Sequence, residues 1–273
     1  MAELTGQLDG LPLAIELCAT RLRSLSVGQL LERLTSRLDM DSRGHDGHSE
    51  RHRSLRTVID WSYDLCAPSH QDLWTRLAIF PPASFDIAAA EAVCGFDELD
   101  REQVMDGIDR LVARSVLLTE RPQSSMRYRM LSTIREYAME RLIGSGEVSL
   151  LRRRHRDHYL GQISSVVAGW ARPTRSDALQ DMDAERPPNY AAALSWSAVV
   201  EEEQDAGLEF AATLRYHWLS GGHLAEGRRW LELFLDKAVG TAARGHGLWV
   251  AAWVAMLQAT SPVPGATSAR LRR

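Results

Sequence analysis

Lysine is nearly missing from this 273-residue chain: Lys237 is the only one, so its cationic chemistry is arginine chemistry. A phosphate-binding P-loop needs a glycine-rich turn followed by Lys and Ser or Thr, because the ammonium must reach the terminal phosphates. Lys237 lies in "LDKAVG", with no such turn before it, so phosphoryl transfer by a conventional P-loop is excluded within these residues. Cysteine is scarce as well. Cys18, Cys66 and Cys94 are odd in number, form no C-x-x-C pair and sit in apolar helical contexts. Buried thiols are therefore expected, not disulfides. No apolar run approaches the ~20 residues that span a bilayer. The first residues lack the basic and apolar regions of a secretory signal, so a cytoplasmic location without a membrane partner is expected. No G-x-S-x-G elbow, H-E-x-x-H pair or Cys–His arrangement occurs, and no catalytic residue is assigned; the chain is not expected to be an enzyme.

What is present is ordinary for a globular protein: 45% hydrophobic and 25% charged residues, with a net charge of -4. That balance argues against a dedicated polyanion binder while leaving room for local patches. The length allows two modest domains, or one domain and a repeat array.

The elements read as mainly α. Leu11, Ile15, Cys18 and Leu22 recur at helical spacing behind Asp9 and Pro12, and "SLSVGQLLERL" starts a second helix with Ser26 and Gln29 as a capping box. Residues 40–53, "MDSRGHDGHSERHR", read as a linker. His45, Asp46, His48 and His52 lie there, but nothing fixes a metal geometry, so no metal site is assigned. From 54 to 143 come four helices: one through Val58 and Ile59, one capped by Ser69 and Asp72, one capped by Asp86, and one opened by Asp100 and Gln103. The period then switches to strand, turn, strand over "SVLLTERPQSSMRYRML", and a helix follows Ser132. Helices followed by a two-stranded ribbon are the plan of a winged helix-turn-helix domain. The remainder is helical, with a turn at Gly221–Gly222 and core tryptophans Trp196, Trp218 and Trp230. It suggests tetratricopeptide-like hairpins, whose concave face suits protein partners. The predicted boundaries are a helical segment over 1–42, a linker over 43–53, a winged helix over 54–146, helical repeats over 147–258 and a disordered tail over 259–273.

"LDGLPLAIELCATRLRSLSVGQLLERL" resembles the GLPL-containing segment of the NB-ARC class of signal-transduction (STAND) ATPases. "SLRTVIDWSYDLC", "LAIF", "LVARSVLL", "RYRMLSTIREYAMERL" and "GHLAEGRRWLE" are similar, in order, to stretches of the large bacterial members catalogued as LuxR-family transcriptional regulators. The resemblance implies that Gly10, Leu11, Pro12 and Leu13 match a loop that packs on the adenine of bound ADP or ATP. It also places Met130, Leu131 and Ser132 at the position of a Met-His-Asp phosphate sensor, where leucine cannot donate a hydrogen bond. In such proteins the Walker segments precede the GLPL loop, and only nine residues precede Gly10. The expectation is therefore a truncated, non-catalytic regulatory fragment, binding no cofactor alone and acting through protein contacts, a separate nucleotide-binding chain among them.

The alternative is a DNA-binding winged-helix transcriptional regulator. Its recognition helix, 101–114, sets Arg101, Arg110 and Arg114 against Glu102, Asp106 and Asp109, a balance of zero where a groove-entering helix is usually basic. Arg121, Arg127 and Arg129 of the hairpin are the candidate nucleic-acid contacts, with Arg51, Arg53 and Arg56 able to touch backbone. The densest basic stretch, "RRRHRDH", presents Arg152, Arg153 and Arg156; a solvated or salt-bridged surface competes there with an acidic or nucleic-acid partner.

Overall fold

The computed structural model describes residues 12–22, 25–32, 50–120, 126–169, 187–220 and 222–260. They fall into two compact units, one ending at His155 and one starting at Arg156.

In the first unit, α1 (Pro12–Arg21) packs on α2 (Glu50–Asp64), burying Leu17 and Cys18. Ser26 and Gln29 exchange the predicted contacts: the Gln29 N–H donates to Ser26 Oγ at 3.3 Å, and the Ser26 N–H donates to Gln29 Oε1 at 3.0 Å. From α2, Val58, Ile59, Trp61 and Tyr63 point inward. Tyr63, Trp74 and Tyr137 form an aromatic cluster with centroids 5.3 to 6.2 Å apart, and Asp60 accepts from the Tyr137 hydroxyl at 2.6 Å. Burial is the main cause, and the Asp60 hydrogen bond the next, that pushes the Tyr137 phenol well above its usual range.

Helices α3 (Pro68–Leu77), α4 (Ile87–Cys94) and α5 (Arg101–Ala113) follow, then β1 (Leu117–Glu120), β2 (Arg127–Met130) and α6 (Ser132–Ser145). Each helix of the trio starts for a local reason. Pro68 occupies the first helical turn of α3, where its missing N–H costs nothing. Asp86 accepts from the Ala89 N–H at 2.7 Å. Asp100 and Gln103 form a reciprocal capping box, at 2.9 and 2.7 Å. Gly107 lets α5 lie against α3, since a Cβ there would come within 2.5 Å of Leu73 Cδ2. The two strands are antiparallel, with Leu117 opposite Met130 and Glu120 opposite Arg127. Phe85 adds a bridge to Tyr128, so the chain before α4 joins the ribbon's edge.

Some expectations change. Ser69 and Asp72 do not cap α3: Pro68 starts it one step earlier, Ala67 is the N-cap, and the N–H groups of His70 and Gln71 bond to the Ala67 carbonyl. Residues 50–53, expected in the linker, already belong to α2; neither Gly nor Pro interrupts the chain there. The compact unit also runs past 146, because the first turns of α7 (Val148–Ala168) pack through Arg154 and His155 onto Val93 and Phe80. The linker before 50 and the tail beyond 260 lie outside the described residues.

The second unit is helical among its described residues: the rest of α7, α8 (Pro187–Val199), a 3-10 turn (Glu201–Glu203), α9 (Gln204–Thr213), α10 (Arg215–Ser220), α11 (Leu224–Lys237) and α12 (Thr241–Thr260). Helices α9, α11 and α12 pack against one another, and Phe210, Phe234, Val250 and Val254 are fully buried there. Gly222 takes a left-handed φ of 72° between α10 and α11, within the predicted turn; Gly221 lies outside the described residues. The helical stretch before that turn is divided into α9 and α10 at Leu214. Trp196 and Trp218 are buried as expected, whereas Trp230 is only partly covered.

Candidate nucleic-acid interface of the winged helix

Helices α4 and α5, with the turn between them and the β1–β2 wing, occupy the places that a helix-turn-helix uses on a duplex. Val104, Gly107, Ile108 and Leu111 bind α5 to the core. The outward face carries Arg101, Glu102, Met105, Asp106, Asp109 and Arg110. The turn ahead of it adds the exposed Asp97, Glu98 and Asp100.

Its cations are spoken for. Arg101 Nε lies 3.1 Å from Glu91, and Arg110 Nε lies 3.4 Å from Asp106, which also meets His70 Nε2 at 3.1 Å. Over residues 97–109 six carboxylates face a single guanidinium. A phosphate approaching this stretch meets net negative charge. Near the start of α5, burial raises the Asp72 carboxyl above its ordinary range; Arg76 opposes the shift, and Glu147 and Glu98 add to it.

The wing is similarly compensated. Arg127 is buried: its Nε donates to Ser84 Oγ at 3.2 Å, one terminal nitrogen to the Ser84 carbonyl at 2.9 Å, and the other lies 3.7 Å from Asp86. It ties the wing to the loop before α4. Arg129 is the accessible member of the pair, with Nε 2.7 Å from Glu120. Arg121 lies outside the described residues. Arg56 pairs with Glu140 at 2.6 Å; the side chains of Arg51 and Arg53 are outside the described set.

The "RRRHRDH" stretch does not form a single basic surface. Arg154 spends its guanidinium on backbone carbonyls, His155 packs edge-on to Phe80, and Arg156 is buried in an ion pair with Glu203. Arg153 stays exposed and Arg152 is half-buried. The spacing in sequence gave no signal of this, because every partner except Asp157 lies tens of residues away.

The nucleotide-related positions are placed separately. Gly10 and Leu11 are outside the described residues; Pro12 and Leu13 open α1, and their side chains are outside the described set. Met130 is buried opposite Leu117, Leu131 is the N-cap of α6 without a side-chain cap, and Ser132 starts the helix, exposed. Among the described residues no cluster of His, Cys, Asp and Glu is arranged to hold a metal ion, and no helix is long and apolar enough to cross a membrane. Cys94 is buried, which pushes its thiol up to about 12 against the opposing pull of Arg76 and Arg154.

Known proteins agree with the geometry. Residues 67–143 match the winged helix-turn-helix domain family. Proteins named "Putative HTH-type transcriptional regulator" in Mycobacterium tuberculosis and Mycobacterium bovis are 36% identical over 280 aligned residues, covering 98% of this chain. An "Uncharacterized protein" of Mycobacterium tuberculosis is 34% identical over 169 residues, or 61% of this chain and 42% of its own. The chain spans about 30% of the length of the named regulators. It is thus a mainly helical chain carrying a winged helix-turn-helix domain, homologous to proteins named as HTH-type transcriptional regulators.

Proposed function

We propose that this chain serves transcriptional regulation as a winged-helix module, and that duplex DNA is the partner of its helix-turn-helix. The observation that carries the reading is the ordered set α3, α4, α5 and wing over residues matching the winged helix-turn-helix family, in a chain homologous to named regulators. The electrostatics define the kind of contact. With Arg101, Arg110 and Arg129 paired in cis, phosphate neutralisation contributes little, so binding by this chain alone is weak and shallow in its salt dependence. Fluorescence anisotropy of the whole chain with a labelled duplex, titrated from 50 to 200 mM salt, tests this. The expected result is a log–log slope of about -1 to -3, corresponding to a few phosphates. No binding at 50 mM salt would overturn it.

The same ion pairs favour a second reading: action through protein contacts, as part of an NB-ARC/STAND-type switch. The GLPL-like opening at Gly10 to Leu13 and the Met130-Leu131-Ser132 position support that likeness, and the helical second unit would offer the tetratricopeptide-like surface. On this reading the chain does not hydrolyse ATP, for want of a glycine cradle followed by Lys. Magnesium-dependent ATP turnover by the purified 273-residue chain would sink it.

A further inference from the structure

The α4–α5 turn is held by two arginines from outside the helix-turn-helix. Arg76, near the end of α3, donates one terminal nitrogen to the carbonyls of Cys94 and Phe96 at 3.1 and 3.0 Å. Its Nε and other terminal nitrogen meet the Glu147 carboxylate at 3.4 and 3.1 Å. Arg154, in α7, donates Nε to the Val93 carbonyl at 2.9 Å, and a terminal nitrogen to those of Ala92 and Gly95 at 2.8 and 3.0 Å. Both guanidiniums lie over the Phe96 ring, 3.6 and 4.8 Å from its centroid. Every carbonyl from Ala92 to Phe96 therefore accepts from one of two side chains. The last carbonyls of a helix lack intrahelical partners, and a charged planar fork satisfies several at once.

The turn they hold is one that needs holding. A Cβ on Gly95 would come within 2.5 Å of the Glu91 carbonyl oxygen, so the backbone passes too close for a side chain. Asp97 sits in the left-handed region at φ 54°, which besides glycine only Asn and Asp enter with any ease. Two residues later Leu99 is buried, and Asp100 then sets the start of α5. Arg154 and Glu147 both lie beyond the matched residues 67–143.

We propose that the start of α7 is a positioning strut for α5: Arg154, together with Arg76 and through Phe96, fixes the α4–α5 turn, so a displacement of α7 passes to the recognition helix. The inference rests on reading α4–α5 as a helix-turn-helix and is independent of whether DNA or protein meets it. Hydrogen exchange of the whole chain, followed by mass spectrometry without any ligand, tests it. In Arg154→Ala, amides 95–104 exchange at least tenfold faster, because local opening there no longer breaks three charged hydrogen bonds, while amides of α2 and α6 keep their rates. Arg154→Lys restores only part of the protection, since one ammonium nitrogen cannot take the places of both Nε and the terminal nitrogen. Phe96→Leu, the milder change, accelerates the same amides by a few-fold, since the ring carries both guanidiniums. Wild-type rates over 95–104 in Arg154→Ala, or full rescue by Arg154→Lys, overturn the strut. If Arg154→Ala unfolds globally, wild-type rates over 95–104 in Phe96→Leu overturn it instead.

Discussion

The Val116 N–H donates to the Leu111 carbonyl at 3.0 Å across the end of α5, and both side chains are fully buried. With the Ser115 N–H donating to the Val112 carbonyl at 3.0 Å, this is a Schellman closure, which favours glycine at the left-handed position. Here that position is Ser115, at φ 58°. Ser115→Gly is therefore expected to stabilise the chain by roughly 0.5–1 kcal/mol, the left-handed strain relieved less the entropy glycine regains when unfolded. Urea denaturation of the two proteins checks it; an unchanged or lower midpoint rejects it.

If α5 faces DNA, its unpaired carboxylates oppose the contact. Glu102 and Asp109 are exposed, and no ion pair to either is among those described. Glu102→Gln and Asp109→Asn should each tighten duplex binding by about three-fold at 50 mM salt, an effect within the ~0.2–1 kcal/mol of exposed charge interactions. Arg129→Ala should weaken it by a similar factor, and Arg127→Ala should act on stability, since Arg127 points at Ser84 and Asp86. Anisotropy titrations beside thermal melts separate the two effects. Equal binding by all four variants would place the duplex elsewhere.

How much of this was legible depended on the range of the interaction. The Asp86 cap and the Asp100–Gln103 box lie within three residues of their partners, so their residue types announce them. The change of period at Leu117 marked the wing in the same way. The Ser69–Asp72 pattern misled because Pro68, one residue earlier, already fixes the helical φ. Arg127 and Arg129 alternate identically along their strand; only the Phe85–Tyr128 bridge decides that Arg127 meets Ser84. The capping by Arg76 and Arg154 left no trace in the sequence, because the carbonyls they meet are up to 62 positions away and backbone acceptors carry no sequence signature.

Arg156 and Glu203 form an ion pair in the second unit, each about 5% exposed in its side chain, with the guanidinium 5.6 Å from the Trp196 ring. Losing one partner strands the other charge in a dry site, which costs about 3–5 kcal/mol. Glu203→Gln should fall at the lower end, since Asp157 still accepts from Arg156 at 2.7 Å. Arg156→Met with Glu203→Leu should cost less than either single change, because no buried charge is left over. Denaturant melts of the singles and the double decide; singles within 0.5 kcal/mol of wild type would mean the site is wet.

The Arg56–Glu140 pair predicts a pH effect of definite sign. The hydrogen bond from Arg56 is the main cause that holds the Glu140 carboxyl below its usual range. A carboxyl depressed on folding adds stability above its unfolded pKa and loses it as pH falls through the folded value. Both side chains are more than half exposed, so screening limits the contribution to about 0.2–1 kcal/mol. Stability measured at pH 7 and at pH 3 should drop less on acidification in Glu140→Gln than in wild type. An equal drop shows that the pair contributes nothing.

Trp218 lies across Gly227 so closely that an added Cβ would come within 2.4 Å of its Cγ. The ring has no easy retreat: it is 2% exposed, and its Nε1 donates to the Ala211 carbonyl at 2.9 Å. Gly227→Ala forces either the ring off its acceptor or α11 away from α10. Alanine's better helix propensity returns at most ~1 kcal/mol, against about 1–3 kcal/mol for overpacking and more for an unpaired buried donor. The net expectation is a loss of about 1–3 kcal/mol, with the Trp218→Phe background showing a smaller loss because the narrower ring has no hydrogen bond to break. Urea melts of the two alanine variants measure it, and a Gly227→Ala protein at least as stable as its parent rules out the tight crossing of α10 and α11.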